Sequence, residues 1–200
     1  EKENFIVRSK GLPDSMSAWY LGAKGAKAIQ ASHPSRYTNQ NIILHEVSLS
    51  EVRLVLESIG IGEDFTTESD LRREYQWRRD DPAIANRVIP DGIFVAMKNS
   101  NPQMVALEVE IQPKNWARLN KIFTEYAKMS SIAKVFYIAG SDAIANLVIR
   151  EWSKIRPSAH SPNLFVCFFD ELKQKKENAR VFDCLAIPTP ISMIFDCKKS

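Results

Sequence analysis

The sequence contains few of the residues that build disulfide-linked or low-complexity proteins. Only three of its 200 residues are cysteines, and they lie far apart at Cys167, Cys184 and Cys197. An odd number of widely spaced cysteines provides neither a disulfide framework nor the paired spacing of a zinc site. With 7 glycines and 10 prolines the chain is also unlike collagen and unlike disordered linkers. We therefore expect a folded protein of a reducing compartment.

Long apolar runs and a strong charge imbalance are missing as well. No apolar run approaches the roughly 20 residues that span a bilayer, and the apolar residues 5–7 lie too close to a charged start to form a signal peptide core. Lys and Arg exceed Asp and Glu by 27 − 24 = 3, which permits an anionic partner without requiring one. These features predict a cytoplasmic protein that does not associate with membranes.

The first 38 residues have a different character from the rest of the chain. Two short β-rich runs, Asn4–Arg8 and Ser17–Leu21, flank the turn-forming residues of Lys10–Asp14, and residues 22–29 favour a helix. A hairpin with one short helix buries too little surface to be stable alone. We expect it either to pack on the main domain or to have helical partners that precede Glu1.

The remaining residues, 39–200, alternate between helical and strand patterns. Apolar residues at three- and four-residue steps predict a helix over 41–59, and Ser48 with Glu51 could form a capping box that places its start late. The next elements in order are a strand at 65–67, an ambiguous segment at 71–79, strands at 91–98 and 104–112 joined by a turn at 99–102, a helix at 115–130, a strand at 134–139, a helix at 142–155, a strand at 164–169 and an apolar tail at 191–195. The helix over 115–130 is predicted to bury Trp116, Leu119, Ile122, Phe123, Tyr126 and Met129. The order indicates an α/β fold with an αβββαβ core.

Acidic residues at the ends of the two central strands are the most informative feature. Side chains alternate along a strand, so Glu108 and Glu110 share one face, and Asp91 at the start of the preceding strand can join them. Such oxygen-only clusters suit Mg²⁺ or Mn²⁺, which activate water for phosphodiester cleavage. The alternative is that both glutamates face solvent and pair with basic residues.

The order of these elements and motifs resembles the PD-(D/E)xK nuclease superfamily, and more closely the replication-relaxation family of MobC-type plasmid mobilisation and relaxase-like proteins. The matching residues are Trp19-Tyr20-Leu21 with Gly25, His45, Pro90-Asp91, Leu107-Glu108-Val109-Glu110, and Lys121 with Tyr126. The resemblance spans residues 19–138. It implies a restriction-endonuclease-like core preceded by part of a winged helix, namely the wing hairpin and the closing helix.

The resemblance also implies the catalytic set, with one departure. Asp91, Glu108 and Glu110 would bind the metal, but Glu110 stands where the superfamily usually has a lysine that positions the attacking water. Lys114, just past the strand, could bring an ammonium group back toward the cluster. Asn115 is expected on the buried side of its helix, near a carboxylate. His45, Glu46 and Lys121 are weaker candidates, for which structural roles or solvent exposure are favoured.

A basic segment with two aromatic residues precedes the central strands. The sequence Leu71-Arg72-Arg73-Glu74-Tyr75-Gln76-Trp77-Arg78-Arg79 places Arg72, Arg73, Arg78 and Arg79 around Tyr75 and Trp77. Arginine binds phosphate and aromatic rings stack on bases, so this segment is a candidate DNA contact. Flanking acidic residues make ordinary surface ion pairing the alternative.

The sequence leaves two main functions of different classes open, beside a weaker third, a metal-free interaction domain with no nucleic-acid role. The first is metal-dependent DNA nicking in the mobilisation or replication of a plasmid or integrative element, together with DNA and other proteins of a relaxosome. The second is a DNA-binding accessory or regulatory protein whose nuclease-like domain has lost catalysis. Glu110, in the position of the lysine, keeps the second open.

Overall fold

The computed structural model describes residues 6–8, 19–21, 23–28, 40–76, 88–113, 115–155 and 161–197. The chain divides into two compact units, Glu1–Val47 and Ser48–Ser200. The boundary lies within the long helix α2 (Gln40–Ser58), since the first unit ends at residue 47, nine residues after the predicted end of the first segment at residue 38.

The first unit contains the predicted hairpin. Strand β1 (Ile6–Arg8) pairs antiparallel with β2 (Trp19–Leu21), and the short helix α1 (Ala23–Ala28) follows. The two strands and the helix are therefore confirmed as elements. The predicted turn and the side chains of the hairpin lie outside the described residues, so the winged-helix interpretation stays a prediction.

The second unit is a mixed α/β layer built on a seven-stranded sheet. After α2 its elements are β3 (Glu63–Thr67), α3 (Glu68–Gln76), β4 (Gly92–Lys98), β5 (Asn101–Glu110), α4 (Trp116–Tyr126), β6 (Lys134–Ala139), α5 (Asp142–Lys154), β7 (Asn163–Phe168), α6 (Phe169–Lys175), a 3-10 turn (Lys176–Asn178), β8 (Arg180–Phe182), β9 (Pro188–Pro190) and α7 (Ile191–Ile194). The strands lie in sequence order from β3 to β9. The contacts β5–β6 and β6–β7 are parallel and the other four are antiparallel.

The predicted α/β class is confirmed, and the ambiguous segment at 71–79 lies partly in helix α3. Helix α2 already begins at Gln40, so Ser48 lies buried in the middle of the helix and does not cap its start. Strands β8 and β9 extend the sheet beyond the predicted core, and helix α7 follows β9. Within the described ranges, no helix is long and apolar enough to cross a membrane.

The turn between β4 and β5 is tighter than predicted. Asn99 and Ser100 have positive φ angles of 50° and 62°, as in a two-residue hairpin turn of the primed type. Pro102 consequently lies in β5, opposite Met97, rather than in the turn. Lys98 and Asn101, which flank the turn, form a hydrogen-bonded pair. The next pair, Met97 and Pro102, is then a pair without hydrogen bonds between its two residues, so the N–H group that proline lacks is not needed there.

The sheet has an apolar core on each face. Alternation along β5 sends Leu107 and Val109 into the core with α2, whereas Ala106 enters the core with α4 and α5. Helix α4 buries Leu119, Ile122, Phe123 and Tyr126, as predicted. Trp116 is 65% exposed, however, so its predicted burial was wrong. Burial starts only at Leu119, one turn into the helix, because the first turn projects beyond the core.

The C-terminal segment packs against the central strands of the sheet. The ring of Phe195 is fully buried, and its centroid lies 6.4 Å from that of Phe94 and 5.9 Å from that of Phe136, both edge to face. The next residue, Asp196, donates its backbone N–H to the Met97 carbonyl at 2.8 Å. Its carboxylate accepts the Ser100 N–H at 3.1 Å. The tail is therefore an integral part of the core around β4 and β5.

Candidate functional site

Asp91 stands immediately before β4, where the main chain of that strand can no longer pair with β5. Its carboxylate oxygen Oδ2 accepts the backbone N–H of Val109 at 2.7 Å, and its carbonyl accepts the N–H of Glu68 at 3.1 Å. The side chain thus takes the place of a main-chain acceptor at the end of the ladder. These two bonds fix Asp91 at the edge of the site.

Glu108 and Glu110 occupy the last part of β5, between β4 and β6. Since Gly92 pairs with Leu107, the preceding Asp91 lies across from Glu108. In the parallel register with β6, Glu108 is opposite Tyr137 and Glu110 is opposite Ala139. Alternation places both glutamates on the sheet face covered by α4 and α5. Asp91, Glu108 and Glu110 are 8%, 3% and 5% exposed, so this face carries three buried carboxylates rather than solvent-facing ones.

Two buried tyrosines donate hydrogen bonds to this carboxylate cluster, defined as Asp91, Glu108 and Glu110. The hydroxyl of Tyr126, from the last turn of α4, donates to Glu108 Oε1 at 2.6 Å. The hydroxyl of Tyr137, from β6, donates to Glu110 Oε2 at 3.1 Å. Each glutamate therefore has a neutral donor supplied by a different element.

Burial and the carboxylates both raise the pKa of these phenols. Burial is the larger cause for Tyr126, and the charge of Glu108 adds to it, so its pKa lies well above the ordinary value. Burial followed by the charges of Glu110, Glu108 and Asp91 raises the pKa of Tyr137 in the same direction. Both hydroxyls stay protonated at neutral pH and remain donors. All three carboxylates raise the pKa of Tyr137, so each of them lies within electrostatic reach of that hydroxyl.

The donor set suits a hard divalent cation. Asp91 and Glu108 lie across from each other on adjacent strands and offer only oxygen, and Mg²⁺ commonly binds through one or two carboxylates plus water and substrate phosphate. In the part of the chain that the structure describes, no group of three or more His, Cys, Asp or Glu side chains is arranged to hold a metal ion. A metal at this edge would therefore use two of the three predicted ligands, with the third carboxylate nearby.

Some of the other predicted site residues are exposed or lie outside the described ranges. Lys114 lies outside the described residues, so its approach to the cluster stays a prediction. Asn115 is exposed and caps α4, accepting the Ala117 N–H at 2.8 Å, because the first turn of the helix projects from the core. Its predicted place on the buried side was wrong. His45 and Glu46 are half-buried residues of the first unit, and Lys121 is exposed, as predicted.

The arginines of α3 are engaged in ion pairs along their own helix. Arg72 pairs with Glu68, and Arg73 pairs with Asp70 at 2.9 Å. This is the surface ion pairing that was the alternative to DNA contact, and it reduces the positive field that phosphate would meet. Arg78 and Arg79, like Trp77, lie outside the described residues.

The two tyrosines are not among the site residues that the sequence predicts. Tyr126 was named among the residues that carry the resemblance and in the core stripe of its helix, without a role in the site, and Tyr137 was placed in the centre of an apolar strand. Their chemistry could have indicated a role in the site, since a buried phenol needs a hydrogen-bond partner. The nearest acidic residues in the same sheet are those of β5. Only the parallel register of β5 and β6 brings Tyr137 beside them.

We expect Tyr126→Phe to lower the free energy of unfolding by about 1–3 kcal/mol, because the buried Glu108 carboxylate loses its short hydrogen bond. Urea denaturation measures the change. Tyr137→Phe is the matched control, and its loss should be smaller because its bond to Glu110 is longer. Equal stability of Tyr126→Phe and the wild type would show that this bond contributes nothing to the fold.

Comparison of the chain with protein-family models, with curated proteins and with solved structures finds no match. No family is assigned on that basis. The chemistry of the carboxylate cluster and the resemblance carried by the sequence motifs are therefore the two indications of function.

Proposed function

We propose that the second unit hydrolyses phosphodiester bonds of DNA with the help of Mg²⁺ or Mn²⁺, through a restriction-endonuclease-like core. The observation that carries the proposal is the carboxylate cluster at the adjoining ends of β4 and β5. The order of the elements supports it, because α2, β3, β4, β5, α4 and β6 follow the αβββαβ order that the resemblance implies once helix α3, inserted between β3 and β4, is set aside. Nicking in the mobilisation or replication of a plasmid or integrative element is the corresponding cellular role.

Each side chain of the cluster has a distinct part in this proposal. Asp91 and Glu108 hold the cation, and the Val109 N–H and the Tyr126 hydroxyl orient them. When bound, such a cation supplies Lewis-acid chemistry to the scissile phosphate. Glu110, held by Tyr137, occupies the position of the usual lysine and accepts a hydrogen bond from the attacking water.

A second candidate is a DNA-binding accessory protein in which the cluster is structural. The observation that favours it is the burial of all three carboxylates, each bonded to a neutral donor of the same domain. In this function the cluster organises the sheet edge, and the domain serves as a platform for DNA or for other relaxosome proteins.

The test is a nicking assay on supercoiled plasmid with the full chain. Conversion to open circles is followed with Mg²⁺, with Mn²⁺, with Ca²⁺ and with EDTA. The proposal expects cleavage with Mg²⁺ or Mn²⁺ and none with EDTA. A chain that binds the plasmid but does not cleave it with any divalent cation would instead support the accessory function.

A further inference from the structure

The first turn of α4 projects from the domain at the end of the sheet that carries the cluster. Residues 115–118 are all exposed, as are Gln112 and Pro113 before them. Trp116 follows Glu110, the last residue of β5, by six residues. We call residues 115–118 the α4 tip. Its chain position ties it to the cluster end of β5.

The exposed side chains of the α4 tip have the chemistry of a nucleic-acid contact. The Trp116 side chain is 65% exposed, although tryptophan is ordinarily well buried. Arg118 and, one turn further on, Lys121 are also exposed. From Ile111 to Thr124 the sequence has three cations and no acidic residue. By contrast, Arg72 and Arg73 of α3 pair with acidic residues of their own helix.

We propose that the α4 tip, together with Lys121 one turn further on, binds single-stranded DNA, with a base stacked on the Trp116 indole and backbone phosphates at Arg118 and Lys121. Residues 116 and 118 point in roughly opposite directions around the helix, at about 100° per residue. A strand that crosses the tip therefore meets the ring on one side and the cations on the other. This inference rests on the proposed function for its choice of DNA as the partner.

Single-stranded DNA is the occupant that these side chains favour over duplex DNA. In a duplex the flat faces of the bases are covered by their neighbours, so an indole on a helix surface has no face to stack on. An unpaired base offers that face, and stacking with cations along the backbone is the usual mode of sequence-tolerant single-strand binding. Charge complementarity between Arg118, Lys121 and phosphate completes the fit.

The experiment measures binding of a fluorescein-labelled oligo(dT) of about 20 nucleotides to the full chain by anisotropy, in EDTA so that no cleavage occurs. Trp116→Ala is expected to weaken binding on the order of 10- to 100-fold, the range found for loss of one stacked base. The side chain is largely exposed, so the variant should fold, which circular dichroism verifies. Trp116→Phe should bind with intermediate affinity and lose most of the quenching of tryptophan fluorescence by the oligonucleotide.

The charged side chains are tested through the salt dependence of the same binding. Changing Arg118 and Lys121 together to Ala should reduce the slope of log affinity against log salt by about 0.7 for each lost phosphate contact. Lys173→Ala with Lys176→Ala removes the same charge from α6 and the 3-10 turn and should leave the slope nearly unchanged. If Arg72→Ala with Arg73→Ala has the larger effect, the contact lies on α3 and the inference is overturned.

Two further outcomes would overturn the inference. One is a wild-type chain that binds duplex DNA but no single strand, and the other is a Trp116→Ala variant with wild-type affinity for oligo(dT). Failure of the proposed function is separable from both. A chain that binds single strands through Trp116 but never cleaves keeps the α4 tip and loses only the nuclease activity.

Discussion

Replacing Asp91 by Asn, or Glu108 by Gln, is expected to lower the rate of metal-dependent plasmid nicking by about 10²–10³-fold, the effect of removing one preorganised electrostatic contact from an active site. Both substitutions keep the size of the side chain and an oxygen acceptor for the Val109 N–H and the Tyr126 hydroxyl. They remove the negative charge that holds the cation. DNA affinity should be unchanged or higher, because the variants repel phosphate less.

Glu57→Gln is the matched control. Glu57 is an exposed residue of α2 that pairs with Arg53 at 2.7 Å. The variant therefore removes one negative charge that does not belong to the carboxylate cluster. Its nicking rate should match that of the wild type. Nicking that persists at the wild-type rate in Asp91→Asn and Glu108→Gln would exclude these carboxylates as the metal site. A parallel measurement of unfolding in urea separates loss of chemistry from loss of fold.

Phe195→Ala should produce the largest loss of stability among single substitutions in the C-terminal segment, about 3–5 kcal/mol. The ring is fully buried between Phe94 of β4 and Phe136 of β6, so its removal leaves a cavity in the core beneath the central strands. Since folded domains are stable by only about 5–15 kcal/mol, the variant should unfold at markedly lower urea concentration.

Met193→Ala tests whether this effect belongs to the ring or to the tail as a whole. Met193 lies two residues earlier and is 65% exposed, so its truncation should change the free energy of unfolding by less than about 0.5 kcal/mol. A Phe195→Ala variant as stable as Met193→Ala would mean that the C-terminal segment is not part of the cooperative core.

Local patterns in the sequence were enough to predict most of the elements. The apolar run of β6 was placed at residues 134–139, as the structure has it, and the alternation in β5 put Glu108 and Glu110 on one face. The helical stripe from Leu119 to Tyr126 was also predicted. These features depend on the periods of strand and helix, which neighbouring residues determine by themselves.

Long-range packing decided what those patterns could not. The Trp116 position fits the apolar stripe of α4, yet burial depends on whether the sheet lies beneath the first turn of the helix, and there it does not. Local cap and turn signals were also insufficient at two other places. Helix α2 starts at Gln40, before the possible cap at Ser48, and Pro102 lies in β5 instead of in the turn.

The sequence by itself determined that three carboxylates end two adjacent strands and that two of them share a face. Only the tertiary structure decided that all three are buried and that tyrosines bond to the glutamates. Tyr126 lies 18 residues from Glu108, and Tyr137 lies 27 residues from Glu110. The physical reason is that a strand's period assigns a side chain to a face, whereas the helix crossing over that face and the register of the next strand select its hydrogen-bond partner.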